Sequence, residues 1–213
     1  MPHRLDTTEA VYFYENEFYP LSNFSAFRLL WEGMDFDTSE HAYHWTKFTG
    51  VRQPDGQIIQ SAIVRARSAH AAFKIAQDAA ALVRLDWPAV KESIMLQILW
   101  AKAEQHEYVR RKLLETGERL LVEDSWRDAW WGLGPDGTGA NRLGHLWMEI
   151  RAVLRASIAQ PAPDATTHPQ AWCTAHACGM RVFRGTHGTR NWYAHSLTDG
   201  ARVIWCFGKA TPD

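Results

Sequence analysis

Asp37-Thr38-Ser39-Glu40-His41-Ala42-Tyr43-His44-Trp45-Thr46-Lys47-Phe48 gathers a helix start signal, a carboxylate, two histidines and a lysine within about three helical turns. Asp37 reads as the N-cap, with Glu40 three residues on as its capping-box partner, so a helix starts here without help from the rest of the chain. From Glu40, positions i+3, i+4 and i+7 are Tyr43, His44 and Lys47, which share one face, while His41, Trp45 and Phe48 form a neighbouring stripe. Glu40 and Lys47 then stand about 10 Å apart along the axis, within reach of one substrate lying between their side chains. Two readings are open at this point: a reacting face, or a capping glutamate beside a solvated lysine and a core-facing aromatic stripe.

Immediately upstream, residues 27–31 and 34–37 flank Glu32-Gly33 and predict a hairpin that delivers the chain to this helix. Before it, Tyr19-Pro20-Leu21-Ser22-Asn23-Phe24-Ser25 predicts a loop whose amides and hydroxyls can donate and accept, either towards a ligand or towards their own backbone. Val11-Tyr12-Phe13-Tyr14 predicts a strand that enters the core early.

Downstream, residues 58–67 predict a short helix, and Ser68 is a good N-cap for an alanine-rich helix over 69–80. Trp87-Pro88 opens a further helix in which Val90, Ile94, Ile98 and Ala101 mark one buried face. Trp87 at its mouth is placed either to pack as a staple or to stack on a ligand ring. Residues 106–116 predict a helix stopped by Gly117, and 119–123 a strand.

That strand leads into Asp124-Ser125-Trp126-Arg127-Asp128-Ala129-Trp130-Trp131-Gly132-Leu133-Gly134-Pro135-Asp136-Gly137-Thr138-Gly139-Ala140-Asn141, where four glycines let backbone approach a ligand closely. Asn141 is a natural N-cap for a helix carrying Leu143, Leu146, Trp147, Ile150 and Leu154 on one face. A glycine-rich loop entering a helix N-terminus suits a phosphate, although the spacing is neither a P-loop nor a dinucleotide fingerprint and fits a solvated turn equally well.

Composition sets bounds. At 213 residues, with 46% hydrophobic content, the chain can bury a substantial core. A net charge of -1 excludes a globally basic nucleic-acid binder, so any such contact comes from a local patch. Three cysteines, Cys173, Cys178 and Cys206, lack a disulfide framework and point to a reducing compartment, the cytoplasm. Cys173, His176, Cys178 and His187 lack a paired Cys-x-x-Cys knuckle, so no metal is expected, and no cofactor either. The first ten residues have no apolar leader and no run approaches the eighteen or so apolar residues of a membrane span, so no membrane contact is expected. Eleven tryptophans serve equally as core bulk or as stacking platforms for bases and sugars. Residues 157–170, with Pro161, Pro163 and Pro169, read as a linker. In the extension that follows, 171–213, Thr198-Asp199-Gly200 between two β-prone runs predicts a hairpin, and Arg181, Arg184 and Arg190 make the segment locally basic.

Taken together, Phe13-Tyr14, Leu21-Ser22-Asn23-Phe24-Ser25, Thr38-Ser39-Glu40-His41-Ala42-Tyr43, Lys47-Phe48, Trp87, Lys91, Asp128-Ala129-Trp130-Trp131-Gly132 and Gly139-Ala140-Asn141-Arg142-Leu143-Gly144 resemble the NADAR family in order and spacing, over about residues 10 to 155. The resemblance implies an α+β fold, a mostly helical single domain over 10–156 with small β elements, here followed by the linker and a C-terminal β-hairpin extension. It also implies hydrolysis of N-glycosidic bonds, through Glu40, Lys47 and Asp128, with Trp87 at the site. Ser22, Asn23, Phe24, His41, Tyr43, Trp131, Gly132 and Asn141 are the further substrate-binding candidates. Within the family some members cleave phosphorylated riboflavin-pathway intermediates and others remove ADP-ribose from guanine bases, as antitoxins against a guanine ADP-ribosyltransferase. The expected substrate is ADP-ribosylated guanine in DNA and the expected partner a toxin encoded nearby. The alternatives are a riboflavin-intermediate N-glycosidase and a non-catalytic module that binds ADP-ribose or a toxin. The Trp130-Trp131 pair and the extension depart from the family pattern.

Overall fold

The computed structural model describes residues 5–51 and 54–159, the side chains only as far as 156, and beyond them the backbone of five short strands. The chain divides into two compact units, Met1–Arg155 and Ala156–Asp213.

In the first unit, β1 (Ala10–Tyr12) pairs in parallel with β4 (Leu120–Val122), so the early strand and the strand before the glycine-rich loop lie side by side. β2 (Leu29–Trp31) and β3 (Met34–Phe36) form the expected hairpin, with Leu29 opposite Phe36. Its turn residues Glu32 (φ 49°) and Gly33 (φ 76°) are both left-handed, the twist that a two-residue hairpin turn needs. The hairpin hands the chain to α1 (Ser39–Thr46), which packs against α2 (Asp55–Val64), α3 (Ala69–Asp78) and α4 (Trp87–Gln105). α5 (Glu107–Glu115) follows α4, and α6 (Arg142–Ala159) follows the loop.

The N-cap of α1 is Thr38, not Asp37. Thr38 is extended and its hydroxyl accepts from the His41 backbone N–H, which releases Glu40 from any capping duty. α2 begins earlier than its apolar residues suggest, because Asp55 sits well at the positive end of the helix and Gly56 fits where a Cβ would lie 3.1 Å from Val51 Cβ. α3 is capped by Ser68 as expected.

α4 is buried more widely than on one face: Met95, Leu99, Trp100, Lys102 and Ala103 are enclosed along with Ile94 and Ile98. Packing on both α1 and the β2 side widens the covered arc. α6 buries Leu143, Leu146, Trp147, Ile150 and Leu154, the face its spacing predicts, and Trp147 donates its indole N–H to the Leu21 carbonyl at 2.7 Å. A second core centre, Phe48, Ile63, Ala66, Ala72 and Ala76, joins α2 and α3 to the end of α1.

In the second unit, β5 (Trp172–Cys173) pairs with β6 (Cys178–Gly179), and β7 (Arg181–Phe183), β8 (Trp192–Asp199) and β9 (Arg202–Phe207) form an antiparallel sheet with Asp199 opposite Arg202. The predicted turn residue Gly200, most of the predicted linker and the side chains of the candidate zinc residues Cys173, His176, Cys178 and His187 lie outside the described residues. Among the described residues, no helix is long and apolar enough to cross a membrane.

Candidate active site

The helical spacing of α1 brings Glu40, Tyr43, His44 and Lys47 to one face. His44 Nε2 lies 2.8 Å from Glu40 Oε1, and since a carboxylate only accepts, the imidazole N–H donates and fixes that oxygen. Glu40 is 8% exposed and sits in the first turn, where free backbone amides favour an anion. Its own backbone N–H donates to the Asn23 carbonyl at 3.1 Å, which ties the 19–25 loop to the start of the helix.

The Lys47 ammonium lies 5.1 Å from the Tyr43 ring centre and 5.7 Å from that of Trp87. Trp45 and Phe48, on the neighbouring stripe, do not join this group. Those point elsewhere on the helix, Trp45 against Phe36 at 5.5 Å between ring centres and Phe48 into the core. Burial holds the Lys47 amine below the ordinary lysine range, while the carboxylates of Glu40 and Asp128 pull it back up and Lys91 pushes it further down. Lys47 thus shares one electrostatic neighbourhood with Glu40 and Asp128.

Tyr43 is the hub. Its ring lies 4.9 Å from Trp87 and 5.6 Å from Trp131, and burial, reinforced by Glu40, raises its phenol well above the usual range, so it stays protonated. Trp87 is buried at 8% exposure, so it packs as a wall with its ring in contact with Tyr43. Asp128 anchors the loop that brings Trp131 here: one of its oxygens accepts from the backbone N–H groups of both Trp130 and Trp131 at 2.8 Å.

Other candidates hold the walls. His41 is buried with Nδ1 2.8 Å from the Thr38 hydroxyl and Nε2 3.1 Å from the Ala66 carbonyl, so its ring faces away from Glu40. Asn141 follows the loop in the N-cap position of α6, its carbonyl accepting from His145, but its side chain does not cap the helix. Its amide accepts from Glu123 N at 2.9 Å and donates to the Leu121 carbonyl at 2.8 Å, and a left-handed φ of 47° aims it there. The glycines are spent on the loop itself. A Cβ on Gly139 would strike the Gly132 carbonyl oxygen, and one on Gly132 would lie 2.7 Å from the Glu123 carbonyl oxygen. At these positions backbone packs on backbone, where the sequence left a ligand or a solvated turn open. Ser22 is buried, its hydroxyl accepting from Phe24 N and its carbonyl from Lys102, whereas Phe24 is 42% exposed. Asn23 is buried with its Nδ2 on Met95 Sδ at 3.4 Å and its Oδ1 without a partner.

Two charged residues escape the motif reading. Glu123, at the end of β4, is 7% exposed, and its Oε2 has no hydrogen-bond partner. Burial, with Glu40 and Asp128 adding repulsion, raises its carboxyl well above the carboxylate range. Lys102 is fully enclosed and donates to the Ser22 carbonyl at 2.8 Å and the Ser25 hydroxyl at 2.6 Å, and burial lowers it to about 7 against the pull of Glu123. Helical spacing points to Lys102, four residues after Ile98 on the buried face. Glu123 carries a weaker signal, a single acid closing an apolar strand.

The NADAR domain profile matches residues 12–155. N-glycosidase YbiA of Escherichia coli strain K12 is 36% identical over 149 residues, which is 70% of this chain and 89% of that protein. Riboflavin biosynthesis protein VVA0006 of Vibrio vulnificus is 34% identical over 182 residues, 81% of this chain and 47% of that protein. The NMR structure of E. coli YbiA superposes with a TM-score of 0.64 at 32% identity, over 78% of this chain and 95% of that one. Fold, extent and sequence agree, and the chain belongs to the NADAR family.

Proposed function

We propose that the chain hydrolyses N-glycosyl bonds and that its substrate is the bond joining ADP-ribose to a guanine base of DNA. The observation that carries the reading is Lys47: an amine made less basic by burial, against the Tyr43 and Trp87 rings, in the field of Glu40 and Asp128. Breaking a ribose C1–N bond builds positive charge at C1 and negative charge on the departing nitrogen. Glu40, oriented by His44, meets the sugar charge, and Asp128 is the group available to move the proton to the base. An exocyclic amine such as guanine N2 allows a second route. The ribosyl link ring-opens to an imine, Lys47 Nζ adds to C1 as the guanine amine leaves with the proton, and water then releases ADP-ribose and the free lysine. That route needs a neutral lysine, which burial favours.

The arginines at 181, 184 and 190 favour a nucleic-acid substrate, and with it an antitoxin role beside an ADP-ribosyltransferase encoded nearby. The name of the Vibrio relative supports a second reading, cleavage of a phosphorylated riboflavin-biosynthesis intermediate. The deciding experiment measures ADP-ribose release from a guanine-modified DNA oligonucleotide beside turnover of a riboflavin-pathway ribosyl intermediate, with wild type and Glu40→Gln. Release from DNA that disappears in the variant supports the first reading, and turnover of the small intermediate alone replaces it with the second. Retained ADP-ribose binding with no turnover of either leaves a binding module.

A further inference from the structure

Three tryptophans of the 124–141 loop are treated differently by the fold. Trp131 turns inward to Tyr43, whereas Trp126 is 48% exposed and Trp130 42% exposed, two residues before and two residues after Asp128. Exposed indoles are uncommon, since each leaves a large apolar area in water. Here they do not stand on a loose segment. Trp130 N donates to Asp128, Arg142 N to the Trp130 carbonyl at 3.0 Å, Ala140 N to the Ala129 carbonyl at 2.7 Å and Gly134 N to the Ser125 carbonyl at 2.9 Å. The backbone beneath both rings is thereby held before anything binds.

Each exposed ring also carries a cation. The Lys91 ammonium lies 3.7 Å from the Trp130 ring centre and the Arg127 guanidinium 4.5 Å from that of Trp126. A cation over a ring face stiffens the indole and sets a positive charge where the phosphate of a stacked nucleotide would run. Lys91 comes from α4 and Arg127 from the loop, so the two pairs are built independently.

We infer that Trp126 with Arg127 and Trp130 with Lys91 form a stacking platform for nucleobases flanking the substrate guanine in a single-stranded nucleic acid. The inference deepens the proposed function and rests on it. A strand, not the adenine of ADP-ribose, is the occupant because there are two exposed platforms, two residues before and two residues after Asp128 in sequence, and a substrate's single adenine covers one. The strand is single because a base inside a duplex has no free face to offer.

The test compares the wild-type protein, the double variant Trp126→Ala/Trp130→Ala and the aromatic control Trp126→Phe/Trp130→Phe. Two substrates are used, ADP-ribosyl-guanosine and a single-stranded oligonucleotide of about a dozen nucleotides with one central modified guanine, long enough to cover both platforms. Loss of stacking predicts that the alanine variant loses about tenfold or more in kcat/KM on the oligonucleotide, mostly through KM, while the mononucleoside changes by less than about twofold. The phenylalanine control keeps most of the oligonucleotide activity. Equal losses on both substrates overturn the inference in favour of adenine stacking or structural support, and unchanged oligonucleotide activity overturns it outright. Unmodified oligonucleotide binding, read by fluorescence anisotropy of a dye-labelled strand, separates this inference from the functional reading. Binding that the alanine variant loses, in a protein that cleaves neither substrate, upholds the platform and rejects the guanine reading. Absence of binding rejects the platform.

Discussion

Helix α1 and the 124–141 loop meet at Tyr43 and build the candidate site by opposite means. On α1 the chemistry is local: Glu40, Tyr43, His44 and Lys47 share a face because of helical spacing alone, and each contributes a side chain. On the loop most of the sequence is spent on the loop's own backbone, through Gly132, Gly139 and Asn141, which holds Asp128 and Trp131 towards Lys47 and Tyr43. One wall is therefore tuned by exchanging side chains. The other is a scaffold that tolerates little exchange. Substitutions should separate the two: chemistry lost without fold on α1, fold and chemistry lost together in the loop.

The largest effect is expected from Glu40→Gln. Glutamine keeps a hydrogen bond to His44 but removes the charge, so turnover should fall by about 10²- to 10⁴-fold with a melting temperature close to wild type. Steady-state kinetics beside a thermal melt check both halves. A large drop in melting temperature would instead make Glu40 part of the scaffold and erase the contrast.

Gly139→Ala should act the other way. Its Cβ meets the Gly132 carbonyl and Leu133 backbone atoms at 2.6 and 2.7 Å, and backbone cannot step aside as a flexible side chain can. Overpacking of this kind costs about 1–3 kcal/mol, seen as a lower denaturant midpoint, and activity should fall with it because Asp128 and Trp131 lose their support. Gly117→Ala is the control. It sits at φ 63° after α5 with nothing within 4 Å of an added Cβ, so strain alone should cost about 1 kcal/mol and leave turnover intact.

The same contrast explains what could be read before the structure. The hairpin at Glu32-Gly33, the Ser68 cap, the α6 face and the grouping on α1 all follow from short-range rules, and all are present. Where partners are distant the rules fail. Nothing near Asn141 in sequence announces that its amide belongs to β4, some twenty residues back, and the glycines of the loop look like a phosphate cradle because a close backbone approach has the same signature whatever approaches. Lys102 was missed, although helical spacing places it beside the buried face. Its meaning was not legible, because the groups it serves, Ser22 and Ser25, come from the far end of the domain sequence.

Lys102, held by α4 against the 19–25 loop and felt by Glu123 just after β4, links the two walls, and its titration reports on that shared floor. The unfolded chain holds a proton here up to the ordinary lysine range, and the folded chain gives it up near 7. Unfolding therefore takes up a proton between those values, so stability rises with pH in that window and the lysine is a burden below it. Relative to Lys102→Met, wild type should gain about 1 kcal/mol between pH 7 and pH 8 in urea unfolding at each pH. Glu123, raised by burial and its acidic neighbours, is present in both proteins, so its own linkage cancels in the comparison. A pH-independent difference would mean that the Ser22 and Ser25 bonds keep Lys102 charged and that the floor is ionic.

The smallest effect, at the opening of α1, tests whether that wall is as local as its spacing suggests. Thr38 caps the helix through His41 N at 3.3 Å, and the same hydroxyl meets the His41 ring at 2.8 Å. Loss of an N-cap costs about 1 kcal/mol, so Thr38→Ala should lower the unfolding free energy by that amount. His41 keeps its Ala66 contact and Glu40 its bond to His44, so turnover per folded molecule should stay near wild type. A fall in turnover larger than the fall in stability would show that the cap sets the angle at which Glu40 is presented, and α1 would then be a scaffold of the loop's kind, with its first turn as the part that cannot be exchanged.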